Sequence, residues 1–456
     1  MSAAKLLRIR ACNRVELLYA GRICKKSCRL RAFVQDAEES QPPNRWLVTL
    51  IIVSLAQALG TGGISLVYPF LPLYIQTLRD AQFISPELLA GLVIGMPPLV
   101  ASIAMPFWGR LADQYGRKKM VMRALFGASI VLLLMGFAET ALALIALRAL
   151  QGLTSGIISS SMALVAGETP RERIGFALGT LQVGLFGGAA IGPLVGGVLA
   201  ERFGFQVPFL FTSAMLVLAG LLVTLGVRET YKPATDSRLS LSPLQMARAW
   251  RGILRTRGVK TVYALRFLNG FAQRSVMPIA PLFVMALIPG AMAAGASSYA
   301  GLVLTVSAVA LTAGSFVFGW LGDKWGFRNV LILASLMAMT FYIPQALVSN
   351  VYQLLVLQAL AGIAAGGVLS APAAMLAKYT DLGDEGSVYG LDASVTSFSN
   401  GMAPMTASVI AAMFGLRAVF AAVAIYYLAI LLIGAQLLPK SKRKIFRFSV
   451  GAAAGS

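Results

Sequence analysis

Twelve stretches of this chain run for about 20 residues with almost nothing but apolar side chains, the length that crosses a bilayer as a helix. They lie at 46–72, 86–108, 119–138, 141–166, 174–200, 207–226, 261–287, 297–319, 329–347, 351–377, 388–412 and 415–438. Inside hydrocarbon every backbone polar group must be paired, and a barrel strand would alternate rather than stay apolar. The chain is therefore expected to fold as an all-α membrane protein. Its composition suits that: 57% of the 456 residues are hydrophobic and 12% are charged, against about 25% charged in an average soluble domain.

The net charge of +21, from 39 Lys and Arg against 18 Asp and Glu, could suit nucleic acid or an anionic membrane surface. Its placement decides for the membrane. With twelve spans both termini lie on one side. The tails, the loops on that side and the span ends beside them hold 33 of the 39 basic residues; the opposite loops and their span ends hold Arg79, Arg202 and Arg417, and Arg148, Arg266 and Arg274 fall further inside spans. Basic loops stay in the cytoplasm, so both termini are expected to be cytoplasmic. A bacterial inner membrane is the expected location, with an organelle membrane as the alternative, and no nucleic-acid partner is expected.

One stretch occurs twice. Residues 109–120 read GRLADQYGRKKM and residues 319–330 read GWLGDKWGFRNV, 210 positions apart. Other segments echo at nearly the same offset: Pro69-Phe-Leu-Pro72-Leu-Tyr74 with Pro278-Ile-Ala-Pro281-Leu-Phe283, and Phe203-Gly204 with Phe414-Gly415. Two homologous sets of six spans, related by a pseudo-twofold axis along the membrane normal, account for this, and duplication of this kind is the architecture of alternating-access transport. The domain reading is a basic disordered tail at 1–45, a six-helix bundle at 46–226, a cytoplasmic linker at 227–260, a second bundle at 261–440 and a tail at 441–456. In the linker, Ser242-Pro243 is a helix start. Behind it Leu244, Ala247 and Leu254 share one face and Arg248, Arg251 and Arg255 another, as in a helix lying on the membrane surface.

The N-terminal tail carries Cys12, Cys24 and Cys28 and nine basic residues by Arg31. A transit peptide would be Ser-rich, which it is not. A zinc motif would need a spacing it lacks, and the chain has no histidine. A basic tail near anionic lipid, or an extension upstream of the true start, remains. No nucleophile–histidine pair, Walker sequence or metal cluster appears, so neither enzymatic activity nor nucleotide-driven transport is expected. No cofactor is expected, and an ion gradient is the energy source that remains.

Three motifs carry a sharper reading. The first is the duplicated segment: Gly109, Asp113, Gly116, Arg117 and Lys118, repeated as Gly319, Asp323, Gly326 and Arg328, with Phe327 where the first copy has Arg117. Glycines permit a tight turn between helices, and a carboxylate suits a helix N-terminus by about 0.3–1 kcal/mol. The second is Arg148, Gln151 and Gly152, deep in the fourth apolar run, where a charge costs about 2.5–3.5 kcal/mol on insertion scales and must face the bundle interior or a wet cavity. The third is Gly179, Gly188, Gly192-Pro193 and Gly196-Gly197 in the fifth run, a stripe of small residues that lets another helix approach closely. Only Gly401 and Pro404 mark the corresponding place in the eleventh.

These residues resemble the motifs A, B and C of the major facilitator superfamily, over about residues 46–440. The strings SLVYPFLPLY and PFWGRLAD are similar to MdtG-type bacterial multidrug exporters, within the twelve-helix drug:proton antiporter group. The resemblance implies that Asp113, held by Arg117, latches onto the N-terminus of the eleventh helix on the cytoplasmic side, more weakly in the second copy. It implies that Arg148 takes part in proton coupling and that the glycine stripe belongs to an exporter. It also implies a cavity lined by helices 1, 4, 7 and 10 with the inner parts of 5 and 11. Candidate wall residues are Gln57, Tyr68, Phe271, Gln273, Arg274, Gln358, Phe398 and Asn400.

No acid lies in the middle of a span; Asp392 is the deepest and is the candidate for a proton-linked acid. With Arg148 and Arg274 near mid-membrane, the cavity is expected to prefer neutral or anionic amphiphiles. The expected function is efflux of small amphiphilic compounds by alternating access in exchange for protons, by a monomer in the lipid bilayer. The alternatives are a proton-linked transporter of a specific metabolite, or a membrane protein that binds a partner without transport.

Overall fold

The computed structural model describes residues 45–170, 173–229, 259–288, 295–379 and 385–437. The tail at 1–44, most of the linker, where the surface helix is expected, and the C-terminal tail lie outside the described residues. Fourteen α-helices carry the fold and no strand occurs among the described residues: α1 Arg45–Leu66, α2 Leu71–Tyr74, α3 Pro86–Tyr115, α4 Arg117–Met135, α5 Ala141–Leu153, α6 Ile157–Glu168, α7 Ile174–Phe203, α8 Gln206–Gly226, α9 Val259–Leu287, α10 Ala296–Trp325, α11 Phe327–Gln345, α12 Val351–Tyr379, α13 Glu385–Phe414 and α14 Leu416–Leu437. The chain divides into two compact units, Met1–Val48, of which only the start of α1 is described, and Thr49–Ser456, which holds every later helix.

Ten of the runs are long and apolar enough to cross a bilayer. The third and eleventh, α4 and α13, are helical but more polar. Arg117, Lys118, Lys119 and Arg123 open α4, and α13 carries Asp392 among several Ser, Thr and Asn residues. Large apolar side chains such as Ile103, Leu225 and Phe316 stand exposed around the outside, as suits a surface solvated by lipid rather than water.

Three expectations change. The duplicated segments are not loops: α3 runs on through Gly109 and Asp113 to Tyr115, and α10 through Gly319 and Asp323 to Trp325. The reversal is made by one residue in each copy, Gly116 at φ 99° and Gly326 at φ 87°, a left-handed conformation that costs a side chain and that glycine adopts freely. The first span is not one helix either; α1 gives way to a turn at 67–70 before α2. The fourth span breaks at Thr154, Ser155 and Gly156, with Gly156 at φ 118°, and resumes as α6.

Local chemistry sets the ends. Ser85 caps α3, its Oγ accepting from the Leu88 amide at 3.5 Å, with Pro86 in the first helical position. Thr140 caps α5 through the Ala143 amide at 3.2 Å, and the Asp80 carboxylate accepts from the Ala141 and Leu142 amides of the same helix end. Between helices, Ser129 of α4 and Ser213 of α8 bond at 2.9 Å where both are buried, and Tyr342 of α11 stacks on Tyr427 of α14 with ring centroids 5.5 Å apart.

Helices of the first and second halves meet along two seams. In one, α3 lies on α13 so closely that a Cβ built on Gly95 would stand 2.5 Å from the Gly401 carbonyl, and one on Gly401 would stand 2.7 Å from the Leu99 amide. In the other, α7 lies on α10: a Cβ on Gly197 would overlap Ser297, one on Gly301 would overlap the Pro193 carbonyl, and the Leu194 amide donates to Thr305 Oγ1 at 3.1 Å. The α7–α10 contacts lie toward the end of the bundle opposite the Gly116 and Gly326 turns. Toward the turns, Gly175, Gly179 and Gly187 of α7 have nothing within 4 Å of a Cβ position among the described residues.

Candidate functional site

Between the seams lies a cavity of two adjoining lobes, about 360 Å³ and 410 Å³. Ser65, Tyr68, Ala189, Arg274, Met277 and Asn400 border both lobes. Tyr68 belongs to the first-span turn and Ala189 to α7, while Arg274 and Asn400 come from α9 and α13, so both halves of the chain supply wall. Gln273 and Gln358 border the second lobe, with Gln273 Nε2 donating to Asn269 Oδ1 at 3.1 Å.

Three expected wall residues lie elsewhere. Gln57 is buried within α1, with neither amide atom partnered among the described residues. Phe271 packs its ring on Phe267 at 4.8 Å and Tyr426 at 5.8 Å, and Phe398 lies 45% exposed beside Phe267. None of the three borders either lobe. The rotation of each helix about its axis decides this, and packing rather than sequence sets it.

Arg148 is the largest fully buried side chain, 1% exposed, and it borders the first lobe. Its Nε donates to the Val93 carbonyl of α3 at 2.7 Å. That carbonyl would ordinarily accept the amide four residues on, but Pro97 stands there and has no N–H. The arginine supplies the missing donor. Its Nη1 donates to Gln151 Oε1 at 2.6 Å, and its Nη2 has no hydrogen-bond partner among the described residues. Its guanidinium carbon lies 5.9 Å from the centre of the Tyr68 ring, within cation–π range. Gly152 completes the motif, since a Cβ there would stand 2.5 Å from the Pro97 carbonyl.

The break in the fourth span also faces the first lobe, through Thr154, Ser155, Gly156, Ile157 and Ile158. Neighbouring helices take up carbonyls that it frees. Trp108 Nε1 donates to Leu153 O at 2.7 Å and Arg123 Nη2 to Ser155 O at 2.8 Å, while the Arg123 guanidinium lies 3.4 Å over the Trp108 ring. Sequence reading passed over Trp108, Arg123 and Pro97. The clue was present in Thr154-Ser155-Gly156, a polar triplet in an apolar run.

The motif C residues face two ways. Cβ atoms at Gly188, Gly192 and Gly196 would overlap the α1 backbone at Ala58, Gly62 and Leu66, whereas Gly197 and Pro193 meet α10; Gly179 touches neither. In the first turn, the Arg117 and Lys118 amides, at 2.6 and 3.1 Å, both donate to the carboxylate of Glu229, just past α8. Lys118 Nζ donates to the Thr224 and Val227 carbonyls at 2.8 and 2.6 Å, and Arg117 Nη1 to the Ala163 carbonyl at 2.7 Å. Glu229 was not foreseen, though an acid directly after a span and beside basic turns was its signal. Gly109 and the Asp113 side chain lie outside what is described, and so does the expected latch on α13. In the second turn Arg328 Nη2 donates to the Ala435 carbonyl at 2.6 Å, and Asp323 is exposed. Asp392 is buried and paired in two-pronged fashion with Arg266 of α9, Nε to Oδ1 at 2.7 Å and Nη2 to Oδ2.

Known proteins match most of this chain. The family model described as Major Facilitator Superfamily matches residues 53–295 and 262–453. Multidrug resistance protein MdtG of Salmonella arizonae is 33% identical over 381 residues, covering 84% of this chain and 93% of the relative; its Escherichia coli counterpart is 32% identical over 382 residues, covering 84% and 92%. Among solved structures, a bacterial homolog of the human lysosomal transporter Spinster, inward-facing and occupied, superposes with a TM-score of 0.72 at 16% identity, covering 88% of this chain and 98% of that one. The nucleoside transporter NupG gives 0.71 at 12%, covering 87% and 100%.

Proposed function

The chain belongs to the major facilitator superfamily, as a multi-pass membrane transporter, and on that premise we propose that it exports small amphiphilic compounds by alternating access in exchange for protons. The cavity between the two seams carries this reading. Its walls are largely apolar with a few polar groups from both halves, the surface that suits loosely specified amphiphiles. The relatives named for multidrug resistance support the same substrate class. Helices 46–226 and 261–440 act as two bundles that rock about the cavity, as a monomer in a bacterial inner membrane with both termini cytoplasmic. The tight α7–α10 contacts at one end and the free α7 glycines at the other correspond to a state open toward the turns, which is the cytoplasmic side.

Asp392 is the proton carrier in this reading. Charged, it pairs with Arg266, whose side chain borders the second lobe. Protonated, it releases that arginine, and the pairing then alternates with proton and cargo. The test is drug susceptibility of cells with and without the gene, beside Asp392→Asn and Arg148→Ala variants matched for expression. Wild type is expected to raise resistance to several unrelated amphiphiles, Asp392→Asn to abolish it, and the lumen of vesicles holding the wild-type protein to turn alkaline when drug is added outside. Net uptake of the compounds by expressing cells would overturn the export direction.

A further inference from the structure

We propose that the break in the fourth span and Arg148 together bind the anionic head of the cargo, a carboxylate, sulfonate or phosphonate group on an otherwise apolar molecule. This deepens the exporter reading and rests on it for calling the ligand a cargo.

Arg148 is a cation surrounded by neutral partners. Its acceptors are the Val93 carbonyl and the Gln151 amide. Among the described residues bordering the two lobes none is Asp or Glu, whereas Arg148, Arg266 and Arg274 are all there. A buried charge is expensive unless paired, and a guanidinium is built to bind an oxyanion with two parallel N–H bonds. Two of its donors are already fixed, one of them by the carbonyl that Pro97 leaves open. The plane of the group is thereby set, and Nη2 is left without a partner. Nη2 is covered in this state, so an anion reaches it only as the wall beside it opens, while the two fixed bonds hold the plane of the group in place.

The break adds donors of the same sign. A broken helix ordinarily presents two opposed ends, carbonyls from one piece and amides from the other. Here the carbonyl side is covered. Trp108 and Arg123 take Leu153 O and Ser155 O, the Thr154 amide takes Leu150 O at 3.1 Å, and Thr154 Oγ1 takes Gln151 O at 2.9 Å. What remains toward the cavity is the start of α6, a helix of 12 residues, whose first amides at Gly156, Ile157 and Ile158 lie on the same wall as Arg148. Ser155 Oγ has no partner there among the described residues. Arg274 brings a second cation from the other half, and its described contact is a weak one, Nη1 to Met277 Sδ at 3.5 Å. Most of the rest of the lobe is apolar, including Ile64, Ile94 and Pro98, which fits the tail of an amphiphile.

The test is binding by the purified full-length protein in an uncharged maltoside detergent. The probes are 11-(dansylamino)undecanoic acid and its methyl ester, which share a body and differ by one charge. Wild type is expected to bind the acid at least about tenfold more tightly than the ester, as a charge-assisted pair of bonds supplies; equal affinities would overturn the proposal without any variant being made. Arg148→Gln is expected to remove the preference. Trp108→Phe, which uncovers the Leu153 carbonyl, is expected to weaken acid binding severalfold and leave the ester unchanged. Displacement of the acid by dioleoyl phosphatidylglycerol at equal concentration would assign the site to a lipid headgroup and overturn it as a cargo site. Export separates from the site cleanly. Vesicles that export neutral amphiphiles while the acid shows no advantage would sink the site alone, and a preserved acid preference with no flux of any probe would sink export alone.

Discussion

The turns at Gly116 and Gly326 share a sequence pattern and nearly the same backbone angle, yet they are anchored by different means. At the first, one carboxylate, Glu229, accepts from two successive amides at the start of α4, and Lys118 closes on the last carbonyls of α8. At the second, Arg328 reaches the Ala435 carbonyl near the end of α14, and the position 210 beyond Glu229 is Pro439. Duplication preserved the reversal because a positive φ demands glycine. It did not preserve the anchor, because the anchoring acid lies outside the repeated segment. The asymmetry expected from Phe327 therefore has a second source, and Phe327 itself packs its ring against Gly322.

This contrast can be broken experimentally. The largest effect is expected from Glu229→Ala, which strands two amides at a helix N-terminus and the Lys118 network beside them. A loss of about 2–3 kcal/mol is expected, as for hydrogen bonds to a charged group, read as a lowered midpoint of thermal unfolding in detergent. Arg328→Ala, which strands no pair of amides at a helix N-terminus, should cost less than Glu229→Ala; a loss equal to that of Glu229→Ala would end the comparison. Gly116→Ala should cost about 1 kcal/mol from its backbone angle alone. It should cost more than Gly326→Ala if the 2.8 Å approach of its Cβ to Glu229 Oε2 matters, and combining it with Glu229→Ala should bring the two glycines level.

The smallest effect lies at the other end of the bundle and sharpens the same contrast. The fourth span starts under a charged cap, Asp80, and the tenth under a neutral one, Asn350, whose Oδ1 accepts from the Gln353 amide at 2.9 Å. The bond from the Ala141 amide holds the Asp80 carboxyl below its usual range against desolvation, with a lesser contribution from the Leu142 amide. A depressed carboxylate stabilises the fold above the unfolded-state range, and the benefit disappears as pH falls through the folded value. Asp80→Asn should therefore lower the unfolding midpoint slightly at neutral pH and not at all once the carboxylate is protonated. Asn350→Ala should give the same small shift at both.

The all-α fold, the repeated turn and the burial of Arg148 were legible in the sequence because each rests on local chemistry: an apolar run, a repeated string, a charge too costly to expose to lipid. The break at Thr154–Gly156 was not, because three small residues in an apolar run read equally well as packing. The cavity wall was half legible. Tyr68, Gln273, Arg274, Gln358 and Asn400 border it, while Gln57, Phe271 and Phe398 do not, since a helix presents a face that only its neighbours fix. Glu229 escaped because it meets its partners from more than a hundred positions away. Pro97 escaped because its effect is an absence, a donor that Val93 lacks and Arg148 replaces.

Where α3 crosses α13 and α7 crosses α10, main chain lies on main chain with hardly a side chain between. Nothing in such a crossing can yield by changing rotamer, so those helices separate only by tilting or sliding whole. One added methyl is then wedge enough. Alanine at Gly95 or Gly197 would prise this end of the molecule apart and bias the protein toward its other conformer without altering any group in the cavity, a way to trap the second state of the cycle with two carbon-sized edits.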